Sequence, residues 1–301
     1  YIQTIVDQQN TEGLFILTGS QQFDLMQTIS QSLAGRSAIV RLLPFSYDEA
    51  YRNESSKNKM GAVLLKGFYP RIFDKNLDPT EAMQFYVNTY VERDLRRLIN
   101  VKDMAIFEIF LKLCAGRTGQ ILNLSSLGND CGINHNTVKA WISVLEASFI
   151  IKLLKPFHKN FNKRLIKAPK LYFLDTGLVS FLLGITQADQ IFSHPLKGAL
   201  FETYVFSELL KLRYNKGKTD NLYFYRDSKG NEVDIICDNG NTFSQIEIKS
   251  GQTVTSDYFK GLHYFSKLCD MPLKSYLIYG GDKTYLRNNV QVINWQGISG
   301  L

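Results

Sequence analysis

The run EVDIICDNGNTFSQIEIK, residues 232–249, limits what this chain can fold into more than any other stretch. Two segments alternate polar with apolar residues, and the turn-rich stretch DNGNT between them reads as a hairpin loop. Residues two apart in a strand point to the same face, so Glu247 and Lys249 project together while Ile246 and Ile248 turn to the other side. A turn centred near Gly240 and Asn241 places Asp234 almost directly opposite Glu247, within cross-strand reach. Upstream, GALFETYVFSELLKL has the apolar spacing of a helix and carries Glu202.

Convergent carboxylates can hold a hard cation such as Mg²⁺ through oxygen ligands. The metal can then activate water and steady a phosphate, while a nearby lysine stabilises developing negative charge. The order Glu202, Asp234, Glu247, Lys249 resembles the PD-(D/E)xK nuclease superfamily, with Glu202 as the helix acid, Asp234 as the central acid and Glu247 with Lys249 as the ExK pair. The resemblance implies a catalytic role for all four residues, with Glu202, Asp234 and Glu247 as ligands to Mg²⁺. The competing reading is a solvated charged face, because an ExK triplet on a strand is common by chance.

At 301 residues and 45% hydrophobic content, the chain is long enough for two or three domains with real cores. No run of roughly 18 apolar residues occurs, so no membrane span is expected. Cys114, Cys131, Cys237 and Cys269 are scattered without metal-ligand spacing and read as reduced thiols of a cytoplasmic protein. The four histidines are equally dispersed, which argues against zinc. Charge is concentrated: residues 147–174 hold no acid, while Lys152, Lys155, Lys159, Lys163, Arg164, Lys167 and Lys170 supply seven positive charges, equal to the whole-chain net of +7. Such a patch is the footprint of a polyanion contact, with a solvated basic hairpin as the alternative.

The segment before the patch, LSSLGNDCGINHNTVKAWISVLEASF, reads as a short helix, a turn at residues 132–134 and a second helix capped by Asn134. Val138, Trp141, Ile142 and Leu145 fall on one helix face and form its buried side. His135, Asn136, Thr137, Lys139 and Ser143 are left toward solvent near the start of a recognition-type helix. Two strand-like runs around HKNFNKR make a basic wing. Helix-turn-helix plus wing reads as a winged-helix module for nucleic acid, DNA in the first instance, through His135, Asn136, Thr137, Lys139, Lys159, Lys163 and Arg164. Such modules also serve protein contacts alone.

The stretches TGSQQFDLMQTISQSLAGRSAIVRLLPFSYDEAY, NTYVERDL, PKLYFLDTGLVSFLLG, GALFETYVFSELLK and NEVDIICD with IEIKSG, in that order, resemble the prokaryotic AAA-type ATPases that carry a C-terminal domain of unknown function numbered 4143. In that resemblance LTGS is the strand ending at the sensor position, which implies that Thr18 and Ser20 lie near nucleotide phosphates. Arg36 is similar to an arginine that meets a γ-phosphate, in a homo-oligomer on a neighbouring subunit; its plain alternative is a surface salt bridge. One departure is serious. No GxxxxGK[ST] loop and no acidic Mg²⁺-holding strand occur in these residues, so the ATP cofactor of the family cannot be cradled by them. The chain reads either as part of a longer protein or as a degenerate member.

The expected architecture is therefore α/β and multidomain. Residues 1–45 are the C-terminal remnant of an AAA-type α/β core, with strands at GLFILTGS and SAIVRLL and a helix between. Residues 46–103 are a helical lid-like region opened by a cap at Ser46, 104–175 a winged helix, and 176–301 a PD-(D/E)xK nuclease-like α/β domain. Three function classes follow: a Mg²⁺-dependent DNA-cutting enzyme, a DNA- or protein-binding module with an inactive nuclease fold, and a part that transmits the motion of an ATP-driven assembly.

Overall fold

The computed structural model describes residues 2–9, 11, 13–17, 37–51, 59–89, 103–157 and 167–301. The chain divides into two compact units, Tyr1–Arg41 and Leu42–Leu301. In the first, helix α1 (Ile2–Gln8) precedes residues 14–17 and 37–41, which carry no strand. Both segments were expected as strands, yet Ile16 is 90% exposed and Ile39 and Val40 are exposed too. The physical reason is that an extended segment becomes a strand only where a ladder satisfies its backbone and a second layer covers its face, and neither segment joins a sheet here. The helix expected between them lies outside the described residues, as do Thr18, Ser20 and Arg36.

The second unit opens with short helices α2 (Tyr47–Tyr51), α3 (Met60–Lys66), α4 (Pro70–Asp74) and α5 (Pro79–Tyr86). Ser46 caps α2 as its sequence suggests. The Ser46 N–H donates to Glu49 Oε2 at 2.7 Å and Ser46 Oγ accepts from the Glu49 N–H at 3.4 Å, a reciprocal capping box. Pro70 and Pro79 occupy first-turn positions, where their missing N–H costs nothing.

Helices α6 (Met104–Ala115), α7 (Leu124–Cys131) and α8 (His135–Ala147) follow. Gly132, at φ 70°, ends α7 in the left-handed region, and Asn134 caps α8 by accepting from the Thr137 N–H at 2.9 Å. Val138, Trp141, Ile142 and Leu145 are buried, with Trp141 edge-on to Phe107 and Phe110 of α6 at 5.1 and 5.0 Å between centroids.

One mixed sheet runs through the rest of the unit. Its strands are β1 (Gln120–Ile121), β2 (Ile151–Pro156), β3 (Lys170–Phe173), β4 (Leu222–Arg226), β5 (Glu232–Asp238), β6 (Phe243–Lys249), β7 (Leu273–Tyr279), β8 (Tyr285–Arg287) and β9 (Val290–Asn294), in the order β1-β3-β2-β4-β5-β6-β7-β9-β8. β2 pairs antiparallel with β3 and parallel with β4, so the hairpin after α8 continues into the C-terminal sheet, across the boundary expected at 175. Helices α9 (Thr176–Leu182), α10 (Ala188–Ser193), α11 (Lys197–Asn215) and α12 (Lys260–Ser266) complete the layers. Ile235, Ile246 and Ile248 share a core with Phe201 and Val205 of α11, whereas Ile236 and Phe243 pack with Leu262 and Phe265 of α12. Among the described residues no helix is long and apolar enough to cross a membrane.

A buried ionic group ties the first helices to this sheet. The Asp175 carboxylate accepts from the Phe68 N–H at 2.7 Å and, as cap of α9, from the Leu178 N–H at 2.9 Å. The Phe68 ring stacks on Tyr204 and lies 4.1 Å below the Lys211 ammonium, which pairs with Glu208 at 2.8 Å; Glu208 in turn accepts from the Tyr47 N–H at 2.8 Å. Removing the carboxylate orphans buried donors and leaves Lys211 without part of its compensation. Asp175→Ala is expected to lower unfolding free energy by about 3–5 kcal/mol, and Asp175→Asn by less, in urea titrations followed by circular dichroism. A change within about 0.5 kcal/mol for the alanine variant would refute this role.

Candidate functional site

The β5–β6 hairpin has the register its sequence implies: Ile235 pairs with Ile246, which sets Asp234 across from Glu247. Beyond that pair the ladder stops, and Asp234 Oδ2 accepts from the Ile248 N–H at 2.8 Å. Its side chain thus sits in the fork between the strands. Lys249 Nζ lies 2.5 Å from Glu247 Oε1 and 3.7 Å from Asp234 Oδ2. Helix α12 closes over this face through Gly261, where a Cβ would come within 2.1 Å of the Glu232 carbonyl oxygen and 3.3 Å of Glu247 Oε2.

From the other side, β3 and α11 supply Lys170, Tyr172 and Glu202. Lys170 and Tyr172 are two apart and point the same way, their backbone held by β1 and β2. Lys170 Nζ lies 3.0 Å from Glu202 Oε1, 2.6 Å from Glu232 Oε1 and 4.0 Å from Asp234 Oδ1. The Tyr172 hydroxyl donates to Glu202, and its ring stacks on Phe206 with centroids 4.4 Å apart. Arg226 reaches the far oxygen of Glu232 at 3.3 Å. Glu202, Asp234, Glu247 and Lys249, singled out from sequence, are therefore brought together. With them come three residues that sequence reasoning missed: Lys170, Tyr172 and Glu232.

Lys170 had been counted in the basic stretch expected to face a polyanion. It is 3% exposed and belongs to this cluster, because its ammonium finds three carboxylates there. Burial alone would lower its pKa, yet Tyr172, Glu202, Asp234 and Glu232 outweigh that and hold it protonated well above the ordinary lysine range. Burial, then the charge of Asp234, raises the Glu202 carboxyl, opposed by Lys170 and Tyr172. For Glu247, burial and the charge of Asp234 push the carboxyl up to about 8 against the pull of Lys249. Glu247 Oε2 is buried with no hydrogen-bond partner among the described residues.

The donor chemistry of the cluster, all carboxylate oxygen, suits Mg²⁺, but its arrangement does not. Mg²⁺ demands near-octahedral oxygens at about 2.0–2.1 Å. The point on which Glu202, Glu232 and Asp234 converge is the Lys170 ammonium, and no group of three or more His, Cys, Asp or Glu among the described residues is placed to hold a metal.

The second candidate surface is the start of α8. His135, Asn136 and Lys139 are exposed and Thr137 is half-buried; the first three residues of the helix line an open cleft with Asn134, Ala140 and Trp141. Of the basic stretch, Lys155 and Lys167 are exposed, whereas Lys152 is paired with Asp220 at 2.7 Å. Lys159, Lys163 and Arg164 lie outside the described residues.

The raised Glu247 carboxyl has a consequence for stability. Between the ordinary value of 4.5 and about 8 the folded chain binds a proton that the unfolded chain does not, so stability falls as pH rises through that window. Roughly 1–2 kcal/mol is expected to be lost between about pH 5.5 and 8.5, and Glu247→Gln should flatten the profile. Urea midpoints at the two pH values check this; equal slopes for both proteins would refute it.

Comparison with known proteins adds matches to three family models. Residues 1–51 match the family model of the AAA domain, residues 57–189 a domain of unknown function (DUF8612), and residues 197–298 a domain of unknown function (DUF4143). Uncharacterized proteins of Mycobacterium bovis and Mycobacterium tuberculosis are each 26% identical over 287 residues, covering 94% of this chain and 62% of theirs. The chain thus spans somewhat under two thirds of the length of these curated relatives. No solved structure matches it significantly. The chain thus resembles the AAA domain over its first residues and DUF4143 over its final third.

Proposed function

We propose that this chain is the DNA-engaging, non-cleaving portion of an AAA-type ATPase-family protein, in which a winged helix contacts DNA and the PD-(D/E)xK-like domain is a closed scaffold. One observation favours this reading over a Mg²⁺-dependent nuclease: the Lys170 ammonium lies within 4.0 Å of Glu202, Glu232 and Asp234, and Glu202 and Asp234 are two of the three acids that the metal would need. Metal-assisted hydrolysis requires those oxygens to be free to close on one cation.

DNA contact is supported by the start of α8. His135, Asn136 and Lys139 stand on its first turns, where the free N–H groups of a helix favour phosphate. Lys155 and Lys167 flank the segment that carries Lys159, Lys163 and Arg164, so the basic connection leaves the sheet beside exposed positive charge. In the whole protein, ATP and its Mg²⁺ would be handled by a P-loop region outside these residues, in a homo-oligomer where Arg36 meets a neighbour's nucleotide.

Fluorescence anisotropy with duplex DNA across a salt series tests this reading. Replacing Lys159, Lys163 and Arg164 together by alanine should weaken binding across sequences and flatten the slope of log affinity against log salt by about two to three units. Plasmid DNA incubated with the chain and Mg²⁺ should stay uncut. Unchanged affinity in the triple variant would remove the basic segment as the contact, and nicking that Asp234→Ala abolishes would replace this reading with the nuclease.

A further inference from the structure

We infer that Lys170 is the chain's own counter-cation, held by β3 in the position of a divalent metal, so that its ammonium and a metal ion exclude one another from the carboxylate cluster. The inference deepens the reading above and shares its Lys170 contact; metal binding is measured apart from DNA binding, so either can fail alone.

Three features carry it. The acids come from three elements, Glu202 on α11, Glu232 and Asp234 on β5 and Glu247 on β6, and the ammonium that joins the first three comes from a fourth, β3. Four carboxylates face two lysines, with Arg226 at the rim on Glu232, so removing Lys170 leaves Glu202 and Asp234 with far less compensation. Clustered buried carboxylates without a counter-charge either take up protons or recruit a cation. The lysine is also built into place: its Nζ lies over the Phe224 ring, 5.5 Å from the centroid, and Tyr172 fixes the Glu202 oxygen that it meets.

A metal sharing Glu202 and Asp234 would have to lie within about 2.0–2.6 Å of oxygens of both, in the space bordered by the ammonium, which stands 3.0 Å from Glu202 Oε1 and 4.0 Å from Asp234 Oδ1. Two cations cannot occupy that space together. Methionine at 170 keeps the unbranched stem and deletes the charge, which opens the cluster to a hard divalent ion. Arginine keeps the charge and should keep the cluster closed.

Calorimetric titration of the 301-residue chain with Mn²⁺, together with thermal unfolding with and without Mn²⁺, tests the inference. The unsubstituted chain should show no saturable Mn²⁺ binding and no thermal shift. Lys170→Met should bind one Mn²⁺ at least about tenfold more tightly than any residual binding of the unsubstituted chain, lose it again in the Lys170→Met, Asp234→Asn double variant, and melt higher with the metal. Lys170→Arg should behave like the unsubstituted chain. Saturable binding by the unsubstituted chain that Asp234→Asn removes would overturn the inference, as would a folded Lys170→Met that binds no better, or a Lys170→Arg that binds equally well. Should Lys170→Met fold only with Mn²⁺ present, the inference is supported; should it fold under neither condition, the metal cannot replace the ammonium and the inference falls.

Discussion

A lysine taken out of water is held as an ammonium only where neighbouring charges repay its lost hydration, and Lys170 finds that among Glu202, Glu232 and Asp234. The geometry around it follows from this demand. Tyr172 steadies Glu202, Arg226 takes the outer oxygen of Glu232, and Lys249 covers the other oxygen of Asp234 and pairs with Glu247. Because the lysine rides on β3 while the acids ride on α11, β5 and β6, the ion cluster also welds the hairpin after α8 to the DUF4143 sheet. The parallel β2–β4 pairing makes the same connection through the backbone.

The segment that carries Lys170 carries a second buried ionic partner. Asp175 lies just past the end of β3 and reaches back to Phe68, while Lys211 and Glu208 on α11 reach Phe68 and Tyr47. One short stretch, residues 170–175, therefore touches both the carboxylate cluster and the helices that follow the AAA-domain residues. Gly67 and Gly177 permit that closeness: a Cβ at either would lie 2.5 and 3.1 Å, respectively, from Asp175 Oδ1.

Much of the local structure was legible because it is periodic. Alternation and a turn with Gly240 in the left-handed region, at φ 86°, are enough to put Asp234 across from Glu247, and 3.6-residue spacing is enough to bury Val138, Trp141, Ile142 and Leu145. Lys170 was not legible in that way. In sequence it is one of seven positive charges in an acid-free window, and its burial depends on β3 and β2 lying beside β4, a matter of sheet order that no local pattern encodes. Glu232 was passed over for the same reason, as the first residue of a strand whose third residue looked more informative. The strands expected near residues 14–17 and 37–41 failed from the opposite cause: the local pattern was apolar, but no ladder is formed.

A double-mutant cycle tests the central claim, that the Lys170 ammonium and the cluster are bound as one buried ionic unit, most directly. Urea unfolding of the parent chain, Lys170→Met, Glu202→Gln and the double variant gives the coupling between the two side chains. The account predicts that either single change costs more than it does in the background of the other, with a coupling of about 2–3 kcal/mol. Additivity within about 0.5 kcal/mol would contradict it, and would return Lys170 to the basic stretch in which the sequence alone had placed it.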